Sequence, residues 1–325
     1  MHQITVFEIN SLKDCPNADN LQMVEVDGYN CLVRKGDYAI GDLAVFIPPD
    51  SLVDTTKQEF SFLGPKSPVR IKAKKLRGII SVGLIIKAPY GFVEGDDVTD
   101  VLGVAHWNPP EPGDILNRKS HGTAIKGPDG FYPKYDIDSF LKYNRLFEYG
   151  ESCWITEKIH GCNAMYTYQN GQIWCRSRTT WKKQDENCIW WKVLHKYPQI
   201  EEFCKNNPGL CLFGEIYGWV QSLRYGAQPQ EYYFAAFDIL DGSRWWDVNE
   251  FLAVTHKYGV PVVPTVAINF PYDYNEIKDM ADGQSLIANH IREGIVIKPM
   301  KNRYDYKVGR VFLKLVSNNY YLLKE

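Results

Sequence analysis

The sequence predicts an α+β chain in two parts, a small β-barrel followed by a larger domain of antiparallel sheets with flanking helices. Three observations carry this. Many short apolar runs fill the first hundred or so residues, separated by Gly, Pro and Asp turns and with little helical spacing. A Pro- and Gly-rich stretch from Val104 to Tyr132 then interrupts the pattern. Beyond it, strand-like runs alternate with segments of helical spacing. At 325 residues, 45% of them apolar and 14% aromatic, the chain is long enough and apolar enough to bury two cores.

Charge and cysteine usage narrow the class. A formal charge of -2 gives no global attraction to nucleic acid or membrane, so a polyanion site must come from local clustering. No apolar run is long enough to span a bilayer, and Met1-His2-Gln3 lacks the basic-then-apolar pattern of a signal peptide. Cys15, Cys31, Cys153, Cys162, Cys175, Cys188, Cys204 and Cys211 form no Cys-x-x-Cys pair and no zinc spacing. Reduced thiols, a cytoplasmic location and no membrane partner are expected.

In the first part, Leu21–Val26 and the run from Tyr29 flank Asp27-Gly28, a strong two-residue hairpin signal. Residues 44–47 and 82–86 supply further strands. Between Lys66 and Arg77 stand six basic residues and no acid. Val69, Ile71 and Ala73 alternate with Arg70, Lys72 and Lys74, so one strand is expected to turn an apolar face inward and a cationic face outward. Lysines of this kind guard a sheet edge against aggregation. A basic groove on a barrel also tracks a phosphate backbone, which makes Arg70, Lys72, Lys74, Lys75 and Arg77 candidate nucleic-acid contacts.

Two patches of this barrel resemble the OB-fold modules of tRNA-binding proteins. They are Pro16-Asn17-Ala18-Asp19-Asn20-Leu21 and Arg77-Gly78-Ile79-Ile80-Ser81-Val82-Gly83. The resemblance implies an OB fold; the compositional break bounds it to residues 1–105, with a linker over 106–132 and a second domain over 133–325.

The second domain opens on a short helix expected near 137–143. The apolar run Cys153-Trp154-Ile155 then leads to Glu157-Lys158-Ile159-His160-Gly161. A free lysine has a pKa near ~10.4, so fewer than about one in a thousand is a neutral amine at pH 7. Burial or neighbouring cations must lower it before it can act as a nucleophile. A hairpin follows across Asn170-Gly171, and counting from a two-residue turn sets Asn163 opposite Arg178. Residues 184–205 read as helical, with Pro198 breaking or restarting the winding. Residues 247–258 read as a helix with Asp247 and Glu250 at capping-box spacing and Gly259 at its end.

Glu215, Asp238, Glu293, Lys298 and Lys314 each lie in or beside a short apolar strand. A buried charge costs several kcal/mol (about 3–5 when its partner is removed) unless it is paired or metal-bound. Taken together, these charges outline a phosphate-and-metal site.

The ordered set Lys158-Ile159-His160-Gly161, Ser177-Arg178-Thr179, Phe213-Gly214-Glu215, Phe237-Asp238, Glu293-Gly294-Ile295-Val296-Ile297-Lys298 and Leu313-Lys314-Leu315-Val316 resembles the motifs of covalent nucleotidyltransferases. These include ATP-dependent DNA and RNA ligases and mRNA capping enzymes. His160 and Asn163 look most like nick-sealing RNA ligases, and the OB module in front resembles one group of them. The resemblance implies a nucleotidyltransferase domain using ATP and Mg2+ or Mn2+. Lys158 would form lysyl-AMP, with His160, Asn163 and Lys314 as catalytic residues. Glu157, Ile159, Arg178, Glu215, Phe237 and Lys298 would bind the nucleotide, Phe237 by stacking on adenine, and Glu293 and Glu215 would hold the metal. The implied partner is RNA with 5′-phosphate and 3′-hydroxyl ends, as a nicked duplex, acted on by a monomer.

The chain departs from the family at Phe312, where many relatives carry the first of two lysines. That lysine's role falls to Lys298 or Arg310, or is absent. Two other readings stay open from sequence: an RNA-binding protein with an inactive transferase domain, and a DNA-ligase or capping-type enzyme.

Overall fold

A computed structural model of the protein describes residues 3–16, 18–107 and 124–323. These form two compact units, one within residues 1–109 joined by the last helix, Asn318–Leu323, and one within 110–317. Most of the expected linker, residues 108–123, lies outside the described residues, as does Asn17. Residues 124–125 are not linker, because they pair with Trp181–Lys182 at the edge of a sheet.

In the first unit the strand Leu43–Ile47 is buried on both faces. Val45 and Ile47 join a cluster with Ile4, Val53 and Phe60, while Ala44 and Phe46 join another with Val24, Val26 and Val33. Alternation along one strand therefore feeds two cores. Antiparallel partners Val6–Glu8 and Leu84–Lys87 flank it. The Asp27-Gly28 hairpin forms as expected, with Val26 opposite Tyr29 and φ of 49° and 77° at the turn pair. The basic stretch is not one strand. It is divided into Val69–Arg70 and Lys74–Leu76, although Ile71 and Ala73 are buried and Lys72, Lys74, Lys75 and Arg77 are exposed.

The second unit contains two antiparallel sheets that carry the candidate site. In the seven-stranded sheet, Cys162–Gln169 runs beside Gln172–Arg176 on one side and Leu210–Gly218 on the other, with Tyr232–Asp241 next. The five-stranded sheet has the order Asp138–Ser139, Leu313–Val316, Gly294–Pro299, Ser152–Glu157, Thr265–Pro271. Only the Asp138–Ser139 strand is parallel to its neighbour. Residues 138–139 were expected to be helical; their pairing with Leu313 and Lys314 draws them into the sheet, and the helix starts at Phe140.

Strand alternation separates core from chemistry. Cys153, Ile155, Ile295, Ile297, Leu313 and Leu315 enter one apolar cluster with Phe140 and Ile277. Trp154 faces Lys298, and Thr156, Val296 and Lys314 are aligned across three strands, so they take the opposite face. Lys158 continues that face just beyond the strand end, its N–H donating to Gly294 O at 2.9 Å.

Three helices support the seven-stranded sheet. Ile189–Lys196 and Pro198–Asn206 are separate, the break falling at Pro198, and bury Trp190, Leu194, Ile200 and Phe203 in the same cluster as Tyr166 and Phe234. Val248–Tyr258 has the expected Asp247/Glu250 capping box and a left-handed Gly259. Among the described residues no helix is long and apolar enough to cross a membrane.

Candidate active site

Lys158 leaves the end of its strand beside the buried Glu293, with Nζ 2.8 Å from Oε1. The lysine side chain is 23% exposed and the glutamate 10%, so the pair is partly shielded from water without being sealed. His160 lies on the other oxygen, its Nδ1 3.4 Å from Glu293 Oε2. Two groups absent from the sequence reading orient this histidine. Its backbone N–H donates to the Tyr225 hydroxyl at 2.7 Å, and Ser222 Oγ lies 3.2 Å from Nε2. Gln221 donates to Gly161 O. No spacing links residues 221–225 to the lysine loop, so local sequence carries no signal for these contacts.

Glycine at 161 is required by close approach. A Cβ there would lie 2.2 Å from Ile216 O and 2.9 Å from Glu215 Cγ. The lysine loop therefore lies directly against the strand that bears Glu215. Asn163 is paired across that same ladder with Glu215.

The two carboxylates have opposite electrostatic settings. Burial alone would push Glu293 up, but the charges of Lys158 and His160 and their hydrogen bonds outweigh it and hold the carboxyl at about 2. For Glu215 burial wins: with the negative charge of Glu293 it raises the carboxyl to about 8, against the opposing pull of Lys158 and the Gly161 amide. Near neutral pH Glu293 is thus ionised and Glu215 holds its proton.

That difference gives a testable stability profile. Because the folded pKa of Glu215 lies above the ordinary value of 4.5, its contribution is fully present below pH 4.5 and is lost as pH rises through about 8. Glu215→Gln cannot ionise in either state. The variant is expected to melt with wild type near pH 4.5 and several degrees higher at pH 8–9, about 2–4 °C for each kcal/mol relieved. Equal melting temperatures at both pH values would contradict the assignment.

Lys298 and Arg310, the two residues expected to fill the missing motif lysine's role if it is filled at all, are both held by Asp238. Lys298 is buried, donating from Nζ to Asp238 Oδ2 and Phe237 O, each at 2.7 Å. Arg310 grips both oxygens of Asp238 at 2.6 and 3.0 Å, and Tyr135 donates to the same carboxylate. Burial lowers Lys298 to about 8 against the pull of Asp238. Both Asp238 and Lys298 stood out as charges in apolar strands, and each is the other's partner.

The remaining expected residues are spread around this frame. Lys314 lies on the face of the sheet shared with Lys298 and leading to Lys158. The observed register, Gln169 with Gln172 and Met165 with Arg176, matches the counted one, but the ladder ends there and Arg178 pairs with Asp136. The Ile159 side chain is core, which leaves only its main chain to touch a nucleotide. Glu157 is buried, one oxygen accepting from Leu286 N–H at 2.7 Å and the other without a hydrogen-bond partner. Of the basic set in the first unit, Arg70 is paired with Asp50 and lies 3.3 Å over the Trp107 ring.

At the end of the lysine strand the second unit thus brings together a lysine on a buried carboxylate, a histidine on the same carboxylate and a second carboxylate on the adjoining strand. The RNA ligase family model matches residues 151–316, just over half of the chain, so the chain belongs to the RNA ligase family and is an RNA-joining enzyme. An OB-fold domain model matches residues 3–88, as expected for the first unit. No curated protein matches the chain. Among solved structures, a mutant of the Naegleria gruberi RNA ligase with ATP and Mn superposes with a TM-score of 0.85 at 23% identity, covering 98% of each chain. The same ligase with PPi gives 0.83 at 24% identity, covering 100% of this chain and 99% of that one. A further mutant with AMP and Mn gives 0.85 at 23% identity and 98% of each chain. At these identities the likeness is one of fold.

Proposed function

We propose that this enzyme joins a 3′-hydroxyl to a 5′-phosphate at nicks in duplex RNA, using ATP and passing through a lysyl-AMP intermediate. The observation that carries the reading is the Lys158–Glu293–His160 cluster at the end of the lysine strand. The Naegleria ligase held with ATP, AMP and Mn supports the choice of nucleotide and metal.

In the resting enzyme Glu293 favours the ammonium form of Lys158, which cannot attack. Once Nζ has given a proton to solvent, its lone pair forms a bond to the α-phosphorus of ATP, the bond to the bridging oxygen breaks, pyrophosphate leaves with that electron pair, and a second Nζ proton passes to solvent as the phosphoramidate forms. Lys314, on the same sheet face, and His160, held by Tyr225 and Ser222, meet the growing phosphate charge. Phe237 stacks on adenine, and Glu215 and Arg178 approach the ribose. AMP then passes to the RNA 5′-phosphate, and the neighbouring 3′-hydroxyl displaces it.

Among the described residues no group of three or more His, Cys, Asp or Glu forms a ready metal cage. An ionised Glu293, with waters and with Glu215 once it has lost its proton, suits Mg2+ or Mn2+ all the same, and Glu293 Oε2 is buried with the His160 ring nitrogen no nearer than 3.4 Å. A divalent cation held there would supply positive charge opposing that of Lys158 and neutralising phosphate. None of the eight cysteines is joined in a disulfide, which supports a cytoplasmic location. The exposed Lys72, Lys74, Lys75 and Arg77 supply phosphate contacts for RNA, and the enzyme acts as a monomer.

The test is joining on matched nicked substrates with ATP and Mg2+ or Mn2+. Duplex RNA with a 5′-phosphate at the nick is expected to be sealed at least about tenfold faster than the matched DNA nick, a difference of about 1.4 kcal/mol in the barrier. Faster sealing of DNA, or no joining of any RNA end, would overturn the assignment.

A further inference from the structure

Phe237 occupies an irregular position in its strand. Phe213 pairs with Asp238 but Gly214 pairs with Ala236, so Phe237 is the extra residue of a β-bulge, without a ladder partner. Ala236 is drawn the other way, its N–H donating to Pro261 O and its carbonyl accepting from Val263 N–H. A residue at such a position has no partner opposite it to set its register.

That peptide is held instead from the facing sheet. Lys298 Nζ donates at 2.7 Å to the Phe237 carbonyl and at 2.7 Å to the next residue's carboxylate. Arg310 fixes that carboxylate at both oxygens and is itself held through Nε by Asn302 Oδ1 at 2.7 Å. The rings of Tyr135, Trp154, Phe237 and Phe312 stand 5.6–6.0 Å from the Lys298 nitrogen and keep water from it. Phe312 also lies 4.9 Å from the Arg310 guanidinium. A lysine at 312 would bring a third cation to a single carboxylate, which accounts for the aromatic residue found there.

We propose that Lys298 is a positioning residue which, with Asp238 and Arg310, locks the Phe237 bulge so that its ring meets the nucleotide base, and thereby sets the preference for ATP over other nucleoside triphosphates. The proposal rests on the reading of Phe237 as the base-stacking residue. Lys298 contacts no substrate in this scheme and acts only through Phe237. Removing its charge leaves the Asp238–Arg310 pair neutral, so Lys298→Met is compatible with folding.

The variants are compared by steady-state AMP labelling and by calorimetric binding of ATP and GTP to chains that also carry Lys158→Met, which prevents turnover. Lys298→Met is expected to raise the KM and Kd for ATP at least about tenfold, to change kcat less than about threefold, and to shrink the ATP/GTP ratio. Combining it with Phe237→Ala should cost no more than Phe237→Ala alone. Lys298→Gln, which keeps a donor for the carbonyl, should recover most of the affinity and is the fallback should the methionine variant misfold. A fall in kcat at unchanged KM, multiplying effects in the double variant, or an unchanged ATP/GTP ratio would overturn the proposal. If the wild-type chain is not labelled, the ligase mechanism fails, and the calorimetric arm still decides the role of Lys298.

Discussion

Lys158→Ala is expected to remove covalent AMP labelling completely and to lower ATP-dependent sealing by about 10^4-fold or more, as loss of a covalent nucleophile does elsewhere. Among the described residues the two other motif lysines are placed differently. Lys298 is bound to Asp238 and the Phe237 carbonyl, and Lys314 lies two strands away from the lysine strand, beyond Gly294–Pro299, rather than on the glycine-freed loop. The same variant should still join RNA that already carries AMP on its 5′ end, because the lysine's covalent role ends once AMP has moved. Loss of both reactions together would mean that the substitution had disturbed the pocket and not just the nucleophile.

Glu293→Ala is expected to cost both activity and stability. It leaves Lys158 and the buried His160 without their shared counter-charge, which Glu215, on the neighbouring strand, replaces only in part as its carboxyl is released from the Glu293 charge. Because Lys158 is partly exposed, the loss is smaller than for a sealed pair, about 1–3 kcal/mol. The folded pKa of Glu293 is depressed from 4.5 to about 2, so its stabilisation is present above pH 4.5 and is lost as pH falls toward 2. Melting curves of wild type and variant should therefore differ most at neutral pH and converge in acid. Glu293→Gln keeps the shape and is expected to be less destabilised yet equally unlabelled. A variant that melts like wild type at pH 7, or that still forms the AMP adduct, would contradict the role given to this carboxylate.

What could be read from sequence was local. Asp27-Gly28 and Asn170-Gly171 select their turns through left-handed backbone angles; both two-residue hairpins formed, the second in the counted register. Asp247, Glu250 and Gly259 bounded a helix for equally local reasons, and Pro198 separated two others. The order of the motif residues pointed to the family because chemistry restricts which side chains can occupy those places.

Long-range pairing was not legible. The lysine strand lies between Thr265–Pro271 and Gly294–Pro299, partners more than a hundred residues away, and no local preference specifies that choice. The same limit hid Tyr225 and Ser222 behind His160. Sequence shows the charge of Lys298 without its surroundings; its partner Asp238 stands sixty residues earlier.

The most direct test of the account is where AMP ends up. Incubation of the wild-type chain with α-labelled ATP and Mg2+ or Mn2+, followed by denaturing electrophoresis and peptide mapping, should find one acid-labile AMP on the peptide that contains Lys158 and release of pyrophosphate. A chain that seals RNA nicks while carrying no AMP, or carries it on another lysine, would contradict the mechanism.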